Sequence, residues 1–311
     1  MAELLEIICM TAALVLFILF FLPTKIKRYF GIAAWIALEA GLFCLLPDLF
    51  AEGNILYPVL IILSLVLLYV VIRRLLKDDE TIKNFTVMGG VFCLFYVPFL
   101  IFKPLGDWLI GTVVTCIKCV FDAIGFEYYT INPAHPLSPY FFNYFFSVDP
   151  EVYGTVFHYN GQVEWITQSA GYSDMIILGC TGITAIALLL AVVAVIRTSL
   201  VKKIAMGVLV TAVIYIVNVF RNVFVISAYF GQWFPWGEEM LVAMTGTVIP
   251  GFASFFWSHN VICEFGAFAV IIILALILFK AAPGLLGTVK DIVMVFVHDT
   301  RQLVRGRRNG Q

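Results

Sequence analysis

Charged residues are scarce in this chain. Asp, Glu, Lys and Arg make up only 13% of its 311 residues, whereas 62% are hydrophobic. A soluble globular domain is about one quarter charged, so this composition excludes that class. The few charges separate long apolar runs, which is typical of an all-α protein that crosses a membrane several times. The net charge of −1 favours no particular partner, and we expect no nucleic-acid binding.

Other features are also missing. The seven cysteines are odd in number and scattered, mostly within apolar runs, which excludes a disulfide framework. The sequence has no internal repeat and no nucleotide-binding glycine loop, and its four histidines lack metal-ligand spacing. We therefore expect neither a metal nor another cofactor. Glu3 and Glu6 stand where a cleavable signal peptide would be basic, so residues 7–22 are expected to remain as a first span.

The apolar runs predict about seven transmembrane helices, each near the length that crosses the hydrocarbon core. With seven spans, all the basic clusters fall on one side, which the positive-inside rule assigns to the cytoplasm. The N-terminus then lies outside. The predicted spans are, within a few residues, 4–22, 30–46, 55–72, 86–102, 175–196, 204–229 and 259–279.

An external region is predicted between the fourth and fifth spans. Residues 106–124 are apolar but interrupted by charge, so we expect an amphipathic helix at the outer interface or a re-entrant helix. Residues 155–166 predict a small β-hairpin cap that turns at Asn160-Gly161, because Asn-Gly suits a tight turn. Residues 285–304 predict an amphipathic cytoplasmic helix on anionic lipid, or a solvated tail. The chain thus divides into a four-span region, an external helix and cap, a three-span catalytic core and a basic tail: 1–104, 105–174, 175–282 and 283–311.

Cys180 is the centre of the predicted site. Ser173 or Asp174 is expected to cap a helix that carries Cys180 about 9 Å along its axis. Gly179 and Gly182 flank the cysteine and leave space next to its sulfur. A cysteine in an apolar helix is usually an inert buried thiol, so its neighbours in space decide whether it reacts.

Two other residues lie at a similar predicted depth. Arg221 and His259, like Cys180, are about 25 to 31 Å from the cytoplasmic charges at the other end of their own spans. An arginine inside a span is kept where it is paired or lines a wet cavity. Alternatively, Arg221 extends to the interface and His259 is an ordinary interfacial histidine.

A thiol, a guanidinium and an imidazole together suit acyl transfer. The thiolate attacks a peptide carbonyl and forms a thioester. The arginine stabilises the oxyanion, and the histidine protonates the leaving amine and then activates the acceptor. Asn218, one turn before Arg221, is placed to orient it.

The residues around these positions resemble the three signature motifs of the exosortase/archaeosortase family, which are polytopic membrane transpeptidases of bacteria and archaea. The motifs here are Gly179-Cys-Thr-Gly-Ile183, Asn218-Val-Phe-Arg221 and Ser258-His259. The resemblance implies that Cys180 is the nucleophile, Arg221 the oxyanion partner and His259 the acid and base, with Thr181, Gly182 and Asn218 in support. The third position is His here, as in exosortases, whereas the archaeal branch commonly has Arg.

The resemblance also implies a substrate and a location. Substrates would be secreted or surface proteins with a C-terminal sorting signal, which consists of a short motif, a hydrophobic span and a basic tail. The enzyme would remove the tail and join the new C-terminus to a membrane lipid or another amine. Its site would face the extracytoplasmic side of the cell membrane.

Several residues offer rival interpretations. Cys263 lies one helical turn from His259 and forms a rival dyad. Cys116 and Cys119 form a C-x-x-C pair. They are interpreted either as adjacent small core residues or as a disulfide, which the oxidising external side would allow. Glu264 is expected either to pair with Arg221, to orient His259 through water, or to be a protonated structural carboxyl. Glu39 indicates a wet or paired position inside the membrane.

Three other functions remain open. A plain intramembrane cysteine hydrolase would use water as the acyl acceptor. A transporter for an anionic solute would use the intramembrane Arg, His and Glu residues. A non-catalytic assembly partner would not need Cys180.

Overall fold

The long apolar runs form helices in the computed structural model, which describes residues 2–51, 56–128, 141–145, 171–246 and 251–308. Within these ranges the helices, in chain order, are α1 Ala2–Phe21, α2 Lys27–Cys44, α3 Leu46–Ala51, α4 Leu56–Leu76, α5 Glu80–Ile101, α6 Lys103–Ile124, α7 Ile183–Ala194, α8 Leu200–Phe230, α9 Glu238–Thr245, α10 Phe252–Phe256, α11 Glu264–Ala281 and α12 Gly284–Arg308. A 3₁₀ turn, Leu178–Thr181, precedes α7, and a π-helical turn, Trp257–Cys263, joins α10 to α11. Two short strands, β1 Phe141–Phe145 and β2 Gly171–Met175, complete the described structure.

The protein is an all-α polytopic membrane protein, as the composition predicts. Five of the described helical stretches are long and apolar enough to cross a membrane: Leu4–Phe21, Tyr57–Leu76, Glu80–Ile101, Leu200–Phe230 and Phe252–Ala281. Two predicted spans are not among them. The 18 residues of α2 include Lys27, Arg28 and Glu39, and α7 has only 12 residues. A total of seven crossings therefore stays a prediction.

The chain separates by its internal contacts into two units. One unit contains Met1–Asp107, Gly182–Ile216 and Ala267–Gln311, and the other contains Trp108–Thr181 and Val217–Gly266. The four predicted regions, 1–104, 105–174, 175–282 and 283–311, divide the chain by membrane side, which is a different criterion. That division stays a prediction.

In the first of these units, α1 packs against α2 and α5. The contact includes Phe17, whose ring meets the Trp35 ring edge to face at 5.5 Å between centroids. Trp35 in turn stacks on Phe85 at 4.9 Å. Aromatic pairs of this geometry add to the stabilisation that apolar burial provides.

The last helix, α12, is docked in the same unit by charge and by aromatic packing. Arg74 on α4 donates from Nε to Asp299 Oδ2 at 2.8 Å and from Nη2 to Asp299 Oδ1, while Phe296 packs on Phe85 with ring centroids 5.3 Å apart. This paired guanidinium holds the pKa of Asp299 down at about 2. The helix predicted over 285–304 is therefore present, and its contact with lipid stays a prediction.

The second unit contains most of α6 and the strand pair. The helix predicted over 106–124 is confirmed as part of α6. β1 and β2 pair antiparallel, with Phe142 opposite Asp174. The hairpin predicted at 155–166 lies outside the described residues. The second unit also contains the α8 end, α9, α10 and the π-helical turn, which carry the candidate site.

Candidate functional site

Cys180 lies in the 3₁₀ turn before α7. The prediction that Ser173 or Asp174 caps the cysteine-bearing helix is wrong, because both residues belong to β2 and pair with β1. The helix begins after Gly182, which takes the left-handed conformation (φ 77°) that glycine adopts without strain. Cys180 therefore precedes the helix, at its N-terminal end.

The space expected next to Cys180 is present on one side. Gly179 is exposed, and a Cβ added there would meet a single atom within 4 Å, Cδ1 of Ile177 at 4.0 Å. Cys180 itself is half-buried. Thr181 is fully buried and closes the turn by donating from Oγ1 to the Leu178 carbonyl at 2.7 Å. Gly179 thus leaves the surface beside the cysteine open.

Two asparagines of α8 hold the main chain of Cys180. Asn218 Nδ2 donates to the Cys180 carbonyl at 2.6 Å, and Asn222 Nδ2 donates to the same oxygen at 2.8 Å. The two side chains lie one helical turn apart, so they share a face of α8. They are only 8% and 3% exposed. Sequence reasoning identified Asn218 but missed Asn222, although its i,i+4 spacing from Asn218 was a usable signal.

Arg221 and His259 are in contact, an arrangement that their common depth permits but does not require. Nη2 of Arg221 lies 3.1 Å from Nε2 of His259. Both residues are half-buried, and His259 is also stacked on Phe255, with ring centroids 5.0 Å apart and planes 16° from parallel. Nδ1 of His259 lies 2.7 Å from Oδ1 of Asn260, a residue that the sequence reasoning did not select.

His259 occupies the π-helical turn. Ser258, just before it, is fully buried and donates from Oγ to the Ser254 carbonyl at 2.7 Å. The start of α10 is held by Glu238 of α9, whose carboxylate accepts from the Phe252 amide at 2.9 Å and the Ala253 amide at 2.6 Å. A carboxylate at a helix N-terminus stabilises the helix through its free amides. Short π-helical turns of this kind frequently occur at functional sites.

A row of aromatic rings leads from β2 to His259. Tyr172 packs on Tyr229 with ring centroids 5.0 Å apart, and Tyr229 packs on Phe255 at 5.7 Å. Phe255 then stacks on His259. These rings place β2, the end of α8 and α10 against one another within the second unit.

Asp174 is a further acidic group of this unit. It is two residues from Tyr172 on β2, and alternation along a strand places both side chains on one face. Burial raises the pKa of Asp174 to about 6, while the positive charge of Arg221 acts in the opposite direction. Sequence reasoning considered Asp174 only as a helix cap, because its strand pairing with β1 was not visible.

The other predicted residues lie as follows. Glu264 is the half-buried first residue of α11, directly after the π-helical turn, and its role stays a prediction. Cys263 is buried, at 8% exposed. Cys119 is an exposed free thiol, so the disulfide interpretation of the C-x-x-C is wrong. Glu39 is buried in the other unit and accepts a hydrogen bond from Ser64 Oγ at 2.6 Å, as expected of a paired interior carboxyl.

Within the part of the chain that the structure describes, no group of three or more His, Cys, Asp or Glu residues is arranged to hold a metal ion. The hydrogen-bonded groups of the site are instead an arginine, a histidine and three asparagines. These groups bind and orient carbonyl oxygens and move protons.

Comparison with known proteins finds two similar archaeal proteins. The chain is 28% identical to Archaeosortase A of Natronomonas pharaonis over 134 residues, and this matched part is 42% of each chain. It is 24% identical over 139 residues to Archaeosortase A of Haloferax volcanii, which is 45% of this chain and 46% of that relative. The matched part thus spans less than half the length of either relative. No protein-family model matches the chain, and no solved structure matches it.

Proposed function

We propose that this chain is a member of the exosortase/archaeosortase family and a membrane cysteine transpeptidase that processes C-terminal sorting signals of secreted proteins. Its similarity to two Archaeosortase A proteins supports the proposal. One observation carries the proposal. The three motifs meet through hydrogen bonds of α8, because Asn218 and Asn222 bind the Cys180 carbonyl and Arg221 contacts His259.

The first half of the proposed reaction forms a thioester. Nε2 of His259 takes the proton of the Cys180 thiol. The thiolate then attacks the carbonyl of the scissile peptide bond, and the resulting oxyanion is stabilised by the Arg221 guanidinium. The tetrahedral intermediate collapses, the C–N bond breaks, and His259 protonates the departing amine of the sorting signal. The signal leaves with its hydrophobic span and basic tail.

The second half transfers the acyl group. His259 removes a proton from an acceptor amine, such as that of a membrane lipid, and the amine attacks the thioester carbonyl. A new amide bond forms, the C–S bond breaks, and Cys180 is regenerated. If water is the acceptor, the product is a free carboxylic acid and the enzyme is a hydrolase.

The transporter alternative is less well supported. The sequence lacks the internal repeat that many transporters carry. The hydrogen bonds of Asn218 and Asn222 to the Cys180 carbonyl hold the cysteine against the helix that carries Arg221, which a solute site does not need.

The decisive test replaces the nucleophile in the full-length protein. In host cells whose own copy of the gene is deleted, Cys180→Ala should abolish removal of C-terminal tails from surface proteins. Arg221→Lys should slow the removal by about 10²- to 10³-fold, the usual effect of losing an oxyanion donor. Cys263→Ala is the matched comparison and should process within about 2-fold of the wild type, because this thiol is buried. Loss of processing in Cys263→Ala would instead favour the rival dyad with His259.

The measurement is a pulse-chase of surface proteins, followed by mass spectrometry of their C-termini. An amide-linked lipid or amine on the new C-terminus identifies a transpeptidase, whereas a free acid identifies a hydrolase. Normal processing by Cys180→Ala would reject both.

A further inference from the structure

His259 is held between two partners, and their chemistry determines where its proton lies. Arginine has only donors, so the contact between Arg221 Nη2 and His259 Nε2 requires an unprotonated Nε2 that accepts the bond. In a neutral imidazole the proton is then on Nδ1. This Nδ1–H donates to Oδ1 of Asn260 at 2.7 Å.

The orientation of the Asn260 amide follows from the same argument. A flipped amide would direct Nδ2–H at Nδ1 and would move the ring proton to Nε2, where it would oppose the Arg221 donor. The arginine therefore decides the assignment, with Oδ1 of Asn260 facing the ring.

Asn260 makes one described side-chain hydrogen bond, and it goes to His259. Its Nδ2 atom is buried and has no hydrogen-bond partner among the described residues. An unsatisfied buried donor reduces stability, and most buried amides avoid it. An asparagine placed only for packing would not need a polar amide here, so the bond to His259 is what the side chain provides.

The π-helical turn explains why consecutive residues can pair in this way. A π-helical turn is wider than an α-helical one, so consecutive side chains diverge less around the axis. His259 and Asn260 both belong to the turn, and Phe255 stacks on the histidine ring. Stacking on Phe255 thus restrains the plane of the ring, and the hydrogen bond to Asn260 restrains the rotation of the ring within that plane.

We propose that Asn260 is a positioning residue of this site: its Oδ1 holds His259 in the Nδ1-protonated tautomer, with the Nε2 lone pair directed toward Arg221. The inference rests on the proposed function, in which the Arg221 guanidinium turns to the substrate carbonyl oxygen and frees Nε2 to exchange protons with the leaving and attacking amines. When Nε2 takes a proton, Asn260 still accepts from Nδ1 and stabilises the cationic ring next to the Arg221 guanidinium. The third residue of a Cys-His-Asn arrangement acts in the same manner.

The test compares two substitutions of nearly equal size. Asn260→Leu removes the acceptor, and Asn260→Asp keeps an oxygen acceptor at the same place. Asn260→Leu should slow tail removal by about 10²-fold, the lower end of the range that general acid–base catalysis contributes. Asn260→Asp should restore the rate to within about 10-fold of the wild type. Ile262→Ala, at an exposed position of the same turn, is the matched control and should process normally.

A second measurement does not depend on processing. Nitrogen NMR of ¹⁵N-histidine-labelled full-length protein in nanodiscs reports the tautomer, and the His259 signals are assigned by their loss in His259→Gln. We expect one tautomer, protonated at Nδ1, in the wild type and in Asn260→Asp. In Asn260→Leu the Nδ1–H loses its acceptor, so the ring is free to turn away from Arg221 and the Nε2-protonated tautomer should appear beside the first. If Asn260→Leu leaves either the tautomer or the rate of tail removal unchanged, the positioning role is rejected.

These variants distinguish a failure of the positioning role from a failure of the proposed function on which it rests. Loss of processing in Cys180→Ala and His259→Gln, together with a normal rate in Asn260→Leu, overturns the positioning role and leaves the transpeptidase proposal intact. Normal processing in Cys180→Ala overturns the transpeptidase proposal itself. If Asn260→Leu does not accumulate in the membrane, Asn260→Ala replaces it and is judged by the same tautomer criterion.

Discussion

Two buried asparagine side chains share one acceptor, the carbonyl oxygen of Cys180. Because a backbone carbonyl has two lone pairs, it can accept both bonds at once. The pair fixes the peptide plane that follows Cys180 against α8, the helix that also carries Arg221. We expect the cysteine main chain to lose its defined position when these donors are removed.

Asn222→Ala tests this directly. Losing one hydrogen bond to a buried carbonyl should lower the free energy of unfolding by about 1 to 3 kcal/mol. Because Asn218 acts on the same oxygen, the double variant Asn218→Ala/Asn222→Ala should deviate from additivity in thermal unfolding of the detergent-solubilised protein. Ser227→Ala, a buried polar position further along α8, is the control. Strict additivity within about 0.3 kcal/mol would contradict a shared acceptor.

Asp174 has a predictable effect on the pH dependence of stability. Its folded pKa of about 6 lies above the ordinary value of 3.8, so the folded state binds more protons between these pH values. The stability that this group contributes is complete below about pH 4 and is lost as the pH rises through 6. Asp174→Asn should therefore melt at a higher temperature than the wild type at pH 7.5 and at a similar temperature at pH 4. Equal melting temperatures at pH 7.5 would show that Asp174 is not held in this environment.

At the scale of elements, α12 shows how a polar contact places a whole helix. Asp299 is 3% exposed and pairs with Arg74 of α4 through two hydrogen bonds. Arg74 also contacts Asp79, whose side chain caps α5 through the Thr81 and Ile82 amides. The same small cluster therefore holds α4, α5 and α12 within their unit.

Asp299→Ala should release α12 from this contact. Removing one partner of a fully buried pair costs about 3 to 5 kcal/mol. The cost is smaller here because Arg74 is partly exposed and keeps Asp79 as a second carboxylate partner. The expected result is faster proteolysis and faster amide hydrogen exchange of α12. Asp291→Ala, an exposed carboxylate of the same helix, should leave both rates unchanged. Unaltered protection in Asp299→Ala would mean that the apolar contacts alone dock the helix.

The whole molecule raises the question of how many times the chain crosses the membrane. Five of the described helical stretches meet the length and composition needed to span, whereas the charge pattern predicts seven crossings with the N-terminus outside. The difference lies in α2, which carries three charges, and in α7, which is short. The 3₁₀ turn that carries Cys180 precedes α7 in the chain, so the apolar segment here is longer than α7 alone.

Thiol labelling in intact cells distinguishes these topologies. Seven crossings place α6 outside and α12 inside. A membrane-impermeant maleimide should then modify the exposed thiol of Cys119 but not a cysteine introduced by Gln302→Cys. Modification of the second site without cell lysis would overturn the seven-span arrangement.

The sequence by itself determined the membrane class, the helical architecture and three motif positions. In lipid every backbone polar group must bond within its own segment, so apolar runs of sufficient length become helices wherever they occur. The family motifs likewise depend only on residue order, which explains why Cys180, Arg221 and His259 could be selected together.

Only the tertiary structure decided how these residues are held. Strand pairing with β1 converts Ser173 and Asp174 from the expected helix cap into β2 and leaves Cys180 in a turn. The roles of Asn222 and Asn260 depend on bonds to Cys180 and His259 whose geometry is set by the packing of α8 and by the π-helical turn. The physical reason is that such bonds join segments far apart in sequence or require a local departure from the α-helix. Neither condition leaves a periodic signal in the amino-acid order.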